Sequence, residues 1–290
     1  MSNKVYIIRD HAIGDVIWVE PVIRYFLGKG KKVYFIGIRS FVYNSHNEKN
    51  LIVKKRLNFF EKLLFYYDKF VKPTGLFIDL NGAYEMHPKQ HVLTSYFQRA
   101  NINDYSLTYP KIYFKPDHSV IEFAPLNYVV IHLEADRYKN YRNVYGVTWE
   151  LIIPYLKSKG LEVVSIGKKK DDRFSHWIET DNFDKLATLI SNAKIFIGVD
   201  SAPSHIAAAT GIPSLIFFGS VNPLFRHLPS FKGFFLQQKC EFAGCYHDTE
   251  KPGGKTCVLV GDEGIPKCSL HTDRYIINYI DKLIEKFQLT

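Results

Sequence analysis

Apolar residues along this chain alternate between short continuous runs and runs spaced at helical intervals. Residues 4–9 (KVYIIR) read as a buried strand. A glycine-containing turn follows at 12–15, then a helical pattern over 16–27, and residues 32–38 (KVYFIGI) supply the next strand. A strand–turn–helix–strand unit of this kind predicts a parallel sheet with a right-handed crossover. The pattern then predicts a helix over 57–67, a strand at 76–80, a helix over 88–99 and a strand at 111–114. Pro110, Pro116 and Pro125 punctuate the middle, and a linker is expected near 115–126. Strand character restarts at 127–133. It alternates with helix 148–158, strand 161–166, helix 184–192, strand 195–199, helix 203–210 and strand 214–218, and an amphipathic helix closes at 272–288. This is the doubly wound pattern. It predicts an α/β protein of two Rossmann-like domains facing a central cleft, residues 1–120 and 121–270, with a terminal helical segment at 271–290.

A chain of 290 residues suits two such domains. The composition, 46% hydrophobic and 23% charged, is that of an ordinary soluble protein. No apolar run reaches the roughly 18 residues of a membrane span. The first segment lacks a signal-peptide pattern, because Arg9 and Asp10 cut its apolar stretch. A cytoplasmic protein is expected. The net charge of +9 fits a solvated basic surface or an anionic partner: a nucleotide diphosphate, the anionic face of a membrane, or a nucleic acid.

Three segments at strand ends carry candidate chemistry. In RDHAIGDVIWVEP, Gly14 ends a turn and Asp15 opens a helix. Asp15 reads either as an N-cap or, at a strand's carboxyl end where open α/β sheets bind ligands, as a proton acceptor for a hydroxyl. In IFIGVDSAPSHIAAATGIPSLIFFGS, Asp200, Ser201 and Ala202 open a helix with Pro203 in its first turn. The unpaired amides and partial positive charge of that helix end suit a diphosphate. Ser201 adds a hydroxyl and His205 follows one turn on. The other reading makes Asp200 and Ser201 simple caps. The third segment, the loop HLEADRYKNYRNVYGVTWE, holds Arg137, Lys139 and Arg142, which either stay solvated or neutralise a leaving diphosphate.

All four cysteines, Cys240, Cys245, Cys257 and Cys268, fall in one glycine-rich stretch with spacings C-x4-C-x11-C-x10-C. A structural zinc or iron site, reduced thiols and disulfides are the three readings. No Cys-x2-Cys knuckle favours the first, and a reducing compartment disfavours the last. His247 and His271 are alternative ligands.

The blocks AIGDVIWVEPVIRYF and GVDSAPSHIAAATGIPSLIFFGS, the second followed by Asn222-Pro223, resemble glycosyltransferase family 9, the heptosyltransferases of lipopolysaccharide assembly. Arg142 through Trp149 adds a weaker match, and residues 40–125 add none. The resemblance implies a GT-B fold, an inverting mechanism without catalytic metal, and a nucleotide-sugar donor, ADP-heptose favoured. It implies Asp15 as general base beside Gly14. It implies Asp200, Ser201, Ala202, His205 and Arg142 around the donor diphosphate. Ser201-Ala202 stands where the family usually has Thr-Gly, and Arg142 where Lys is common. Family relatives include proteins with cysteine clusters near this place, some of which bind iron. The last helix of such enzymes often crosses back to the first domain. The expected acceptor is a glycan or lipid-linked glycan hydroxyl, reached with peripheral contact at an anionic inner-membrane face.

Competing functions remain open at this point. A transferase acting on protein or modified DNA fits the same donor site. A sugar-nucleotide epimerase would need a second carboxylate. A non-catalytic sugar-nucleotide-binding module would not need Asp15. Nucleic-acid binding is disfavoured, since no helix-turn-helix, zinc-finger or RNP-like pattern occurs.

Overall fold

A computed structural model of the chain describes residues 3–87, 89–134, 142–168, 170–247, 257–261 and 264–289. The chain divides into two compact units, Met1–Phe114 and Lys115–Thr290.

The first unit runs β1 (Lys4–Ile8), α1 (Ile13–Ile17), α2 (Glu20–Gly28), β2 (Lys32–Ile36), β3 (Leu51–Lys54), α3 (Phe59–Phe70), β4 (Phe77–Asp79), α4 (Ala83–Met86) and α5 (Val92–Arg99). Its strands form a parallel sheet in the order β3-β2-β1-β4. Pro21 separates the single helix expected over 16–27 into α1 and α2. Proline has no N–H to continue a helix but fits the first turn of a new one, which is its position in α2. The strand expected at 111–114 does not form. The backbone N–H of Lys111 instead donates to the carboxylate of Glu20 at 2.9 Å. Glu20 is fully buried, and burial pushes its carboxyl up against the pull of that bond.

The second unit runs α6 (His118–Phe123), β5 (Tyr128–His132), α7 (Trp149–Ser158), β6 (Glu162–Gly167), β7 (His176–Glu179), α8 (Phe183–Ser191), β8 (Ile195–Val199), α9 (Ala202–Thr210), β9 (Ser214–Phe217), β10 (Gly233–Leu236) and α10 (Asp273–Phe287). Helix α6 occupies the stretch expected as linker, with Asp117 capping it through the Ser119 N–H. All six strands are parallel, in the order β10-β9-β8-β5-β6-β7. The chain therefore winds outward from β5 in one direction and, from β8, in the other. The carboxyl ends of β5 and β8 lie side by side at the reversal, where doubly wound sheets leave a crevice.

Val129, Ile131, Ile195, Ile197 and Leu215 are all fully buried in the core of this unit. Continuous apolar strands of this type are what a sheet covered on both faces requires. Helix α10 buries Ile276, Ile280 and Leu283 in the same core. Their i, i+4, i+7 spacing is one face of a helix. Among the described residues no helix is long and apolar enough to cross a membrane.

Candidate active site

In the first unit the chemistry gathers beyond the ends of β1 and β4. Ala12, not Asp15, is the N-cap of α1, and Asp15 sits in the first turn. The capping reading of Asp15 therefore gives way. A carboxylate there still gains from the helix dipole. Its Oδ2 lies 2.7 Å from His11 Nδ1 and 3.7 Å from the guanidinium of Arg9. Arg9 is fully buried, donates to the Leu80 carbonyl at 2.8 Å, and pairs with Glu85 at 2.9 Å. Burial opposes the Arg9 charge, but Tyr96, Asp15 and Glu85 overcome it and hold the guanidinium ionised. The bond to Asp15 raises the His11 pKa above its usual 6.5. Asp10 braces the turn from outside, accepting from Ile38 N–H at 2.6 Å, while its own N–H donates to Asn81 at 2.8 Å. Asp15 thus offers a fixed, part-exposed carboxylate at the carboxyl end of a strand. Gly14 is buried beside it.

In the second unit the site is the start of α9 at the sheet's reversal. Ser201 is the N-cap, in extended backbone, and Ala202 is the first helical residue. Ala202 takes helical backbone that needs no glycine. Ser201 N–H donates to Ser204 Oγ at 3.2 Å, and Ser204 Oγ donates to the Ser201 carbonyl at 2.7 Å. The Ser201 hydroxyl turns instead toward the Val199 carbonyl at 3.0 Å and His132 Nδ1 at 3.2 Å.

Asp200, buried, is anchored by its N–H on the Phe217 carbonyl at 3.2 Å. Its two oxygens meet Arg142 at 3.7 Å and His205 Nε2 at 3.9 Å. Both distances exceed a hydrogen bond. Asp200 Oδ2 and Arg142 Nε have no hydrogen-bond partner among the described residues. His205 stacks on His227 with ring centroids 5.0 Å apart. Four of the residues expected around a diphosphate, Arg142, Asp200, Ser201 and His205, therefore gather within one unit, with Ala202 adjacent. Arg137 and Lys139 lie outside the described residues.

One residue not anticipated from sequence joins this site, and a second lies near it in the chain, over the end of β6. His132, the last residue of β5, meets Ser201, and burial lowers its pKa to about 4, so the ring is neutral at pH 7. Glu134 accepts from Lys168 N–H at 3.1 Å across the top of β6. Gly167 makes room for it, since a Cβ there would stand 2.7 Å from the Glu134 carboxylate. Their signal was positional: His132 ends the central strand β5 at the reversal point and Glu134 stands two residues beyond it.

The four cysteines are free thiols, Cys257 and Cys268 buried, Cys240 and Cys245 half-buried. Gln238 N–H donates to the Cys268 carbonyl at 3.0 Å, which draws the two ends of the cysteine segment together. Burial pushes the Cys268 thiol up to about 11, with smaller contributions from Cys240, Cys257 and Cys245. Among the described residues no three His, Cys, Asp or Glu side chains are arranged to hold a metal ion. His271 is buried and hydrogen-bonded to Gln238, and burial lowers its pKa to about 4.

The glycosyltransferase family 9 (heptosyltransferase) model matches residues 179–233, which run from the last residue of β7 to the first of β10 and include α9. Lipopolysaccharide heptosyltransferase 3 of Escherichia coli is 30% identical over 166 residues, covering 51% of this chain and 48% of that protein. The chain thus spans about half the length of that curated relative. The ADP-heptose lipopolysaccharide heptosyltransferase II of E. coli superposes with a TM-score of 0.69 at 12% identity, over 98% of this chain and 99% of that one. The dodecameric iron-containing heptosyltransferase TibC, solved with ADP-D-β-D-heptose, gives 0.71 at 15% identity, over 99% and 78%. At such identities the likeness is one of fold, and the fold is the mixed α/β, parallel-sheet architecture of the GT-B heptosyltransferases. The family model falls on the second of the two motif blocks, and the curated relative adds to the resemblance to glycosyltransferase family 9.

Proposed function

We propose that the chain is an inverting glycosyltransferase that moves heptose from ADP-heptose to a hydroxyl of a lipopolysaccharide core glycan. The observation that carries this reading is the α9 site, where Arg142, His205 and a helix N-terminus converge around the half-satisfied carboxylate of Asp200. A diphosphate there would meet the side chains of Arg142 and His205 and the Ala202 N–H at the helix end, since Pro203 has no N–H and the Ser204 N–H donates to the Ser201 carbonyl. The donor complex of TibC supports ADP-heptose as the donor, and the name of the curated relative, a lipopolysaccharide heptosyltransferase, supports a lipopolysaccharide glycan as the acceptor.

In the proposed reaction the acceptor oxygen attacks the anomeric carbon and the bond from that carbon to the β-phosphate oxygen breaks. Asp15 takes the acceptor's proton, and ADP leaves carrying the bonding electron pair. Arg142, His205 and the Ala202 N–H stabilise the charge on the departing diphosphate, so the protein itself supplies the positive charge. His132, neutral, holds the Ser201 hydroxyl. The test is a panel of ADP-, UDP- and GDP-sugars with heptose-deficient lipopolysaccharide as acceptor, read by nucleotide release and by mass of the product. The reading expects ADP-heptose to be used and a heptose to be added. Turnover confined to UDP- or GDP-sugars overturns it.

The cysteine segment carries a second, structural reading. The iron of TibC and the gathering of four thiols support a structural iron or zinc here. As arranged the thiols do not close around one point among the described residues, and no step of the reaction is assigned to a metal. Elemental analysis of protein purified without chelators decides. Less than stoichiometric iron plus zinc removes the metal.

A further inference from the structure

Helix α3 is turned the opposite way from an ordinary surface helix. A helix advances by about 100° per residue, so positions i, i+4 and i+7 share a face. In α3 the inward stripe is Glu61, Phe65 and Asp68. Glu61 and Asp68 are buried and Phe65 half-buried. Each is occupied. Glu61 pairs with Lys54 and closes a capping box with Asn58, Phe65 lies edge-on to Phe77 at 5.5 Å, and Asp68 accepts from the N–H groups of Thr74 and Phe77 at 2.8 and 3.2 Å. The stripe diametrically opposite, in solvent, is Phe59, Leu63, Tyr66 and Phe70. Phe60 and Val71 extend it on one flank, and Phe60 and Phe70 are 74% and 70% exposed. Contiguous apolar surface of this kind marks an interaction site.

The charge pattern identifies the occupant. Residues 49–75 hold seven basic and two acidic side chains, and both acids are the ones turned inward. Lys62 and Lys69 lie on the other flank of the aromatic stripe, with Lys55, Arg56 and Lys72 exposed at the helix ends. An aromatic stripe beside lysines, with no exposed carboxylate on the helix, is complementary to an anionic lipid surface. A second copy of the chain would bring lysines against lysines.

We propose that the outward face of α3 docks the protein on an anionic bilayer, with the aromatic stripe in the headgroup–acyl boundary and the flanking lysines on lipid phosphates. The inference stands apart from the donor reading, since it concerns where the enzyme sits and not what it transfers. The full chain is sedimented with vesicles of phosphatidylcholine containing phosphatidylglycerol, and with phosphatidylcholine alone. The expected result is binding at least about tenfold tighter to the anionic vesicles, weakening with salt. The variant F59S/Y66S/F70S loses that binding by about tenfold or more with circular dichroism and melting unchanged. The variant K62E/K72E keeps every aromatic residue and loses the lipid preference. Nucleotide release from a soluble donor stays at the wild-type rate in both, which separates failure here from failure of the proposed reaction. Equal binding to both vesicle types, or variants that bind as well as the wild type, overturns the proposal. So does a wild-type dimer that light scattering shows to dissociate in F59S/Y66S/F70S while vesicle binding is absent.

Discussion

The two candidate sites satisfy their carboxylates in opposite ways. In the first unit Asp15 lies 2.7 Å from a histidine ring, and the arginine behind it is itself bound by Glu85 at 2.9 Å. In the second unit Asp200 is buried, yet its partners stand at 3.7 and 3.9 Å and one oxygen has no hydrogen bond among the described residues. Buried polar groups are normally paired, and leaving one open costs about 1–3 kcal/mol. The first arrangement fixes the carboxylate between an arginine and a histidine. The second holds the Arg142 guanidinium close to, but not on, the Asp200 carboxylate, and Arg142 Nε has no hydrogen-bond partner among the described residues. In the proposed reaction the first carboxylate would serve as base and the second would stand in the donor site.

The largest effect that sharpens this contrast is expected from Asp15→Asn. The amide preserves shape and cannot take a proton, so kcat should fall by at least about a hundredfold with donor Kd little changed. Near-normal turnover removes Asp15 from the base role and leaves the first site purely structural. Next is Arg142→Met, which keeps length and removes a charge-assisted donor worth about 1.5–3 kcal/mol. Donor Kd, measured by calorimetry with ADP, should weaken by about tenfold or more, with a smaller change in the acceptor dependence of the rate. A donor affinity untouched by the substitution would make the Arg142–Asp200 pair a closed structural contact and erase the difference between the sites.

The turn after β1 and the α9 block were legible in the sequence because each compresses its signal into a few adjacent residues: an apolar run, a turn, then small or capping residues. The strands β3, β7 and β10 were not. They are four residues each and lie at sheet edges, two in the second unit and one in the first; His176 and Glu179 bound only two apolar residues in β7, and the apolar runs of β3 and β10 are too short to announce a strand. The 111–114 segment failed for the reverse reason. It has strand composition, but its backbone bonds to the buried Glu20 side chain, a partner 91 residues away that no local pattern encodes. The same holds for Arg9 and Glu85, 76 residues apart, which set the electrostatics of Asp15. Candidate ligand-binding residues were visible as motifs; the groups that tune them come from distant chain segments and become visible only in the fold.

The smallest effect isolates one tuning group. His11 is half-exposed, so its link to Asp15 is screened by solvent and contributes less than a buried pair would. Its pKa is raised above 6.5 by that bond. The folded state therefore gains from protonated His11 below about pH 6.5, and the gain disappears as pH rises through the raised value. Catalysis runs the other way. Protonated His11 holds the Asp15 carboxylate and weakens it as a base, so the wild-type rate should climb as pH rises past the raised His11 pKa. His11→Gln keeps a hydrogen-bond donor and cannot titrate. Its expected signature is a rate within about threefold of wild type on the alkaline plateau and a flattened acid limb above the ordinary histidine pKa of 6.5. An acid limb unchanged in His11→Gln would assign that titration to another group and leave Asp15 tuned by Arg9 alone.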